Sequence, residues 1–384
     1  MTSLRRAFAG LAAVACGAAL AGCGTVVDIN RGGRVAGTTL TVYTQLPQPG
    51  RGASRDMVDA EKLALFDAKG AVGPYKINFI AIDEGPPGSG DGAKLSALAL
   101  RDAIADPQVI ALIGPGGSDT ALATVPLLNA AGILEVSPGA GYPGLTDHAG
   151  PGEPERWQPS GRRTLGRIVG DDRAQAPALL AAARAASGGK ARPRVAIEQE
   201  PGRVADQQVQ ELRRAGARIV ENSSRADAVI YAGEDPQNAA GVADGLAREG
   251  TPVVLPDAVT RGGVAGHLSA AAKRRAVLVS SAPEPGSTPA LRQFEARFRQ
   301  AFRRDPGPYA AVGFDAMNAV LDALRTAGAR AGVRQDVIDA YFRPGERRGG
   351  LLGDFRVAND GSRVPATFTA FRLRGGRPAY LTLR

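Results

Sequence analysis

Short apolar runs alternate with amphipathic segments along the chain from about residue 39 onward. A β-type run occupies 40–43, and the segment between Ser54 and Gly70 places Met57, Ala60 and Ala64 on one side of a helix. Further strands are predicted at 77–82, 109–113 and 133–137, and helices at 93–105 and 118–132. A repeated order of strand, loop and helix predicts a parallel sheet, so these residues are expected to form one α/β lobe.

A second series of the same kind follows a segment rich in Pro, Gly and Glu between 148 and 160. Helices are predicted at 178–186, 205–215 and 239–248, and strands at 195–197, 228–231, 253–255 and 276–280. Two more helices, at 289–302 and 309–326, precede a tail at 351–383 whose apolar and polar residues alternate as in antiparallel strands. The pattern therefore predicts an α/β protein with two Rossmann-like lobes.

The first residues predict export and a lipid anchor. Arg5 and Arg6 precede an uncharged run at 7–21, which is too short to span a bilayer as a helix. The run ends in Leu-Ala-Gly before Cys23, which resembles a bacterial lipobox. We expect a signal peptide at 1–22, acylation of Cys23 and a flexible, glycine-containing tether at 23–38. A buried cysteine in an N-terminal helix is the alternative.

The composition argues against several other classes of protein. The only other cysteine, Cys16, lies in the predicted signal peptide, so we expect no disulfide and a core large enough to be stable without one. The formal net charge of +9 comes from scattered Arg residues without interleaved aromatics, so no nucleic-acid partner is expected. His148 and His267 fit neither a metal site nor a nucleophile, and no Walker or Gly-x-Ser-x-Gly motif occurs. The sequence therefore predicts a protein that is not an enzyme and that has no metal or cofactor.

Three segments carry a resemblance to a known family: IGPGGSDT at 113–120, AGILEVSPGA at 131–140 and LT at 145–146. They resemble type I periplasmic solute-binding proteins, most closely the branched-chain amino-acid (leucine/isoleucine/valine) binding group of ABC transporters. Smaller matches at 82–83, 231–233, 255–257, 307–311 and 315–316 follow in the family's order, so the resemblance covers nearly all of 39–360. It implies two lobes joined by three crossing strands. The first lobe would hold 39–158 plus 281–345, and the second 159–280 plus 346–384.

The first lobe is expected to offer ligand contacts at the ends of two parallel strands. Gly117 would let a ligand approach a helix N-terminus closely, where free backbone amides and the hydroxyls of Ser118 and Thr120 favour a carboxylate. Either hydroxyl could instead only cap the helix. On the following loop, the resemblance implies that the Ala140 carbonyl faces an ammonium group.

Two neighbours of Ala140 extend this expectation. Tyr142 would face an apolar group of the ligand, although a packed loop residue is equally consistent with the sequence. The family usually has Thr where this chain has Gly141, so one side-chain contact to an amino acid is missing.

In the second lobe, the resemblance implies a contact between Asp257 and a ligand ammonium. Glu234 stands where the family has an aromatic contact. Two acids facing one cleft favour a cationic, polyamine-like solute over leucine, while solvated loop acids are the alternative.

We therefore expect an extracytoplasmic, lipid-anchored and monomeric substrate-binding protein of an ABC importer, whose lobes close on a small solute. The permease and the ATPase would lie on other chains. The alternative is a sensing or partner-docking lipoprotein with the same fold.

Overall fold

The structure, a computed structural model, describes residues 33–48, 50–85, 90–343, 345–347 and 350–383. The predicted signal peptide, Cys23 and most of the predicted tether lie outside the described residues. At the end of that tether, Val35 is buried and its N–H donates to the Gly332 carbonyl at 2.7 Å. The folded part therefore begins a few residues before Thr39.

The first lobe is built on a six-stranded sheet of order β2-β3-β1-β4-β5-β6, in which only β2 is antiparallel to its neighbour. Every residue of the VIALI segment of β4 is buried, as expected for a parallel strand covered on both faces. The strands are β1 (Thr39–Leu46), β2 (Ala71–Val72), β3 (Tyr75–Asp83), β4 (Val109–Ile113), β5 (Leu134–Ser137) and β6 (Leu165–Arg167), and the helices are α1 (Gly52–Asp67), α2 (Gly90–Ala105) and α3 (Ser118–Ala131).

The second lobe is built on a seven-stranded sheet of order β16-β15-β11-β10-β9-β7-β8. Side-chain caps begin two of its three long helices, with Asp171 before α4 and Asp235 before α6. Its helices are α4 (Asp172–Ala186), α5 (Arg203–Arg214), α6 (Pro236–Arg248), α7 (Asp257–Arg261), α8 (Val264–His267) and α9 (Ala270–Arg275). Its parallel strands are β7 (Arg194–Gln199), β8 (Arg218–Ile219), β9 (Ala228–Ala232), β10 (Val253–Leu255) and β11 (Ala276–Ser280).

After β11 the chain returns to the first lobe and crosses once more near its end. Leu291, Phe294 and Phe298 pack in the core of the first lobe, as do Phe355 and Val357. The elements that follow β11 are α10 (Pro289–Phe302), α11 (Ala310–Ala327), α12 (Arg334–Tyr341), β12 (Glu346–Arg347), β13 (Phe355–Val357), β14 (Arg363–Val364), β15 (Thr369–Arg374) and β16 (Arg377–Leu381). The tail strands pair antiparallel, as the alternation predicts.

Two crossing points differ from the boundaries inferred from the sequence. β6 pairs in parallel with β5, so 165–167 belong to the first sheet, although 159–280 were assigned to the second lobe. Residues 355–357 also pack in the first lobe, and only β15 and β16 join the second sheet, through β11. The chain therefore crosses after β6, after β11 and after β14. The three residues of β6 are too few to show a period, and their position is decided by pairing with β5.

Candidate functional site

A cavity of about 450 Å³ lies in the cleft between the two lobes. Loops after the carboxyl ends of strands from both sheets contribute to it, which is where open α/β sheets bind ligands. Its polar and charged lining residues are Gln48, Arg51, Ser54, Glu84, Asp119, Thr120, Glu234, Asp235, Gln237, Arg261 and His267. Carboxylates therefore outnumber guanidinium groups around the cavity.

Glu84, directly after β3, forms part of the wall in the first lobe. Its side chain is buried, and its Oε2 accepts a hydrogen bond from the Gly116 N–H at 2.6 Å. Burial raises the pKa of Glu84 to about 7, and the Gly116 N–H partly opposes that rise. Glu84 was not among the residues predicted from the sequence, although its place after a parallel strand was a signal for it.

The start of α3 adjoins Glu84. Gly117 occupies the N-cap position without a side-chain cap, so neither Ser118 nor Thr120 caps the helix. The Ser118 hydroxyl instead accepts hydrogen bonds from the N–H groups of Gly141 and Tyr142, at 3.0 and 3.2 Å. Ser118 thus joins the two loops of the first lobe that were predicted to meet at the site.

A carboxylate from the second lobe lies at this helix N-terminus. The Ser118 N–H donates to both oxygens of Glu234, at 3.0 and 2.8 Å, and the Asp119 N–H donates to Oε2 at 3.2 Å. Burial raises the pKa of Glu234, and the nearby Asp119 charge adds to that effect. The position predicted to hold a ligand carboxylate is therefore filled by a side chain of the protein itself.

The Ala140 carbonyl, predicted to face an ammonium group, accepts a hydrogen bond from Arg167 Nε at 2.7 Å. Arg167 is fully buried on β6, and its other guanidinium nitrogens donate to the Tyr142 carbonyl at 2.6 Å and to the Thr146 hydroxyl at 2.5 Å. The Tyr142 hydroxyl donates a hydrogen bond to the carboxylate of the buried Glu153, whose two oxygens each lie 2.9 Å from it. Tyr142 is thus a packed loop residue in this structure.

Gly141 has a packing reason to lack a side chain. A Cβ at this position would lie 2.8 Å from Asp172 Oδ1, and the Asp172 N–H donates to the Gly141 carbonyl at 2.8 Å. A side chain at this position, such as the family's Thr, would therefore require the Asp172 carboxylate at the start of α4 to move.

Asp257 is bonded within the protein rather than exposed to the cavity. It accepts hydrogen bonds from Arg261 Nη1 at 2.6 Å, from the Ser281 N–H at 2.6 Å and from the Tyr309 hydroxyl at 2.7 Å. Arg261 Nη2 reaches the carbonyls of Gly116, at 2.5 Å, and Gly139, at 3.1 Å, in the first lobe. The ion pair of Arg261 with Asp257 therefore also bridges the cleft.

The structure thus divides the residues predicted from the sequence into two groups. Those that line the cavity are Gly117, Thr120 and Glu234, and those buried beside it are Ser118, Ala140, Gly141, Tyr142 and Asp257. Sequence reasoning missed Glu84, Arg167 and Arg261. The spacing of Arg261 four residues after Asp257 on α7 was a usable signal, because such residues lie on one helix face.

Sequence comparison identifies the family to which these lobes belong. Residues 48–364 match the family described as periplasmic binding protein. The chain belongs to the periplasmic binding protein family. Members of this family are solute-binding proteins that act outside the cytoplasmic membrane, and they are not enzymes. No curated protein sequence matches the chain. No helix in the described ranges is long and apolar enough to cross a membrane.

Solved structures share the fold of this periplasmic binding protein. An ABC transporter substrate-binding protein from Desulfitobacterium hafniense, in complex with Leu, has a TM-score of 0.70 at 18% identity and covers 89% of this chain and 100% of its own. A leucine binding protein from Thermotoga maritima has the same TM-score at 16% identity, covering 89% and 98%. A solute binding protein of an ABC transporter from R. palustris, in complex with benzoate, has a TM-score of 0.70 at 17% identity, covering 90% and 96%. The predicted two-lobed α/β fold and the resemblance to this family are confirmed.

Proposed function

We propose that this chain is the substrate-binding component of an ABC importer and that it binds a small cationic solute between its lobes. Substrate-binding proteins of ABC transporters share its fold, which supports the coupling to a permease and an ATPase on other chains. The sequence at 5–23 supports a lipid anchor on Cys23 at the outer face of the cell membrane.

The acidic lining of the cleft is the observation that supports a cationic solute. Glu84, Asp119 and Glu234 line the cavity, and Arg261, one of its two guanidinium groups, is already paired with Asp257. At a pH above the raised pKa of Glu84, a cation in this space would be attracted by the negative charges of these carboxylates. Leucine and benzoate, which the structural relatives bind, both carry a carboxylate that these groups would repel.

Calorimetric titration of the purified chain with putrescine, spermidine and agmatine at pH 8 tests this proposal. We expect saturable binding of at least one of these cations, with an affinity that falls roughly tenfold in Asp119→Asn, because one attractive charge is lost. Glu249→Gln removes an exposed carboxylate on the second lobe, away from the cavity lining, and should bind like the parent chain. Absence of binding, or equal affinities for all three chains, would reject a cationic solute in this cleft.

A sensing or docking lipoprotein is the second candidate function. The hydrogen bonds of Glu234 and Arg261 across the cleft favour it, because they hold the lobes together with groups of the protein alone. A chain that closes without solute would present the same surface to a partner whether or not a solute is present.

A further inference from the structure

Glu234 extends from the second lobe to the first turn of α3. The helix has 14 residues, and its first N–H groups lack partners within the helix, so its N-terminus attracts an anion. The Glu234 carboxylate accepts hydrogen bonds from two of these groups, Ser118 N–H and Asp119 N–H. The N-terminus of α3 therefore binds a carboxylate of the same chain.

The loop that carries Glu234 is held in place by two side chains of the second lobe. The Glu200 carboxylate accepts hydrogen bonds from the N–H groups of Glu234, at 2.9 Å, and Asp235, at 3.0 Å. Gln208 Oε1 accepts a hydrogen bond from the Gly233 N–H at 2.8 Å. Because the loop backbone is held in place, only the rotamer freedom of the Glu234 side chain is lost when it crosses the cleft.

A second group of the first lobe that was predicted to bind a ligand is also hydrogen-bonded to a side chain of the protein. The Ala140 carbonyl accepts a hydrogen bond from the buried guanidinium of Arg167. An α-amino acid that placed its carboxylate on α3 and its ammonium on Ala140 would have to displace Glu234 and bring its ammonium close to the positive charge of Arg167. Both make charge-assisted hydrogen bonds, which are stronger than those between neutral groups.

We infer that Glu234 is a specificity-determining residue, which fills the N-terminus of α3 and thereby excludes solutes that would bind there through a carboxylate. The inference rests on the proposed function, because exclusion matters only where a solute binds. The Glu234 carboxylate thus contributes to the negative charge of the cleft and also blocks the N-terminus of α3, and a single substitution removes both effects.

Calorimetric titration of the parent chain and four variants with benzoate and leucine tests the inference. Glu234→Ala should empty the position and bind benzoate at least tenfold more tightly than the parent chain. Leucine should gain less than benzoate, because its ammonium still meets the Ala140 carbonyl occupied by Arg167. Glu234→Gln keeps the side-chain volume and an acceptor oxygen for Ser118 N–H, so it should exclude benzoate as the parent does. Glu249→Gln serves as the exposed control.

A parent chain that binds benzoate as tightly as Glu234→Ala would overturn the inference. So would a folded Glu234→Ala chain, with unchanged circular dichroism, that gains no affinity for benzoate. Glu234→Ser serves as a second opening variant, and a folded Glu234→Ser chain must also gain affinity for benzoate. Failure of the parent to bind cations would count against the proposed function alone, because the gain in Glu234→Ala is measured with a carboxylate.

Discussion

Two buried charges, on Arg167 and Glu234, lie at or beside the cleft of this protein. Arg167 and Glu234 are both buried, and each is satisfied by backbone groups of the first lobe. A buried charge without such partners is strongly unfavourable, so the loops around each charge must hold their dipoles in fixed positions. Burial raises the pKa of Glu84 to about 7, so this carboxyl group titrates near neutral pH.

The titration of Glu84 predicts a pH dependence of stability. Its pKa rises from 4.5 to about 7 on folding, so the folded chain holds a proton that the unfolded chain releases. The stabilisation is complete below pH 4.5 and is lost as the pH rises through 7. In Glu84→Gln this loss should disappear, so the free energy of unfolding should fall less between pH 5 and 8, by at most about 3 kcal/mol.

Urea unfolding of both chains at pH 5 and pH 8 measures this difference. Glu249→Gln, which removes an exposed carboxylate, should keep the pH dependence of the parent chain. Equal pH dependence in the parent and Glu84→Gln would mean that Glu84 titrates at its ordinary pKa in the folded chain.

At the scale of elements, the sequence predicted central strands and long helices well and short edge elements poorly. The predicted bounds of β4, β10, β11 and α10 agree with the structure, because strands buried on both faces read as uninterrupted apolar runs and α10 is bounded by a proline. β6 and β13 have three residues each, and the lobe to which each belongs is decided by the strand it pairs with or the core it packs in. That information lies in tertiary contacts and not in local periodicity.

Helix packing gives a prediction at this scale, from two glycines in different helices. A Cβ on Gly313 of α11 would lie 2.6 Å from the Met57 Cα of α1, whereas a Cβ on Gly241 of α6 would have nothing within 4 Å. Gly313→Ala should therefore lower the free energy of unfolding by about 1–3 kcal/mol through overpacking. Gly241→Ala should raise it by up to about 1 kcal/mol, because alanine has the better helix propensity.

Thermal or urea unfolding of the two variants measures these opposite changes. Because both substitutions add one methyl group within a helix, Gly241→Ala controls for the propensity effect. A Gly313→Ala chain as stable as Gly241→Ala would mean that α1 and α11 can separate without loss.

At the scale of the whole molecule, the two lobes meet through contacts between residues far apart in sequence. Ser118 and Glu234 are 116 positions apart, and Arg261 and Gly116 are 145 apart. The resemblance to the family placed Gly117, Ser118 and Glu234 near one cleft, but it could not indicate that Glu234 would bond Ser118. The partner of a buried charge depends on the groups that face it in the folded chain. A family resemblance indicates where a residue lies in the fold, but not which groups it will contact.

These contacts predict that the chain is closed in the absence of solute. The parent should scatter as a compact particle, with a radius of gyration of about 20 Å for a domain pair of this size. Replacing both bridging residues, in Glu234→Ala with Arg261→Met, removes the charge-assisted bonds at the cavity and should favour opening about the hinge segments, while the ion pairs of Arg173 with Asp147 and of Arg203 with Glu153 still join the lobes. Small-angle X-ray scattering should then give a larger radius of gyration and a longer maximum dimension.

Glu249→Gln with Arg218→Met changes the same charges at exposed positions of the second lobe and should scatter like the parent. If the bridged and unbridged chains had the same radius of gyration, the lobes would be held together by contacts other than Glu234 and Arg261.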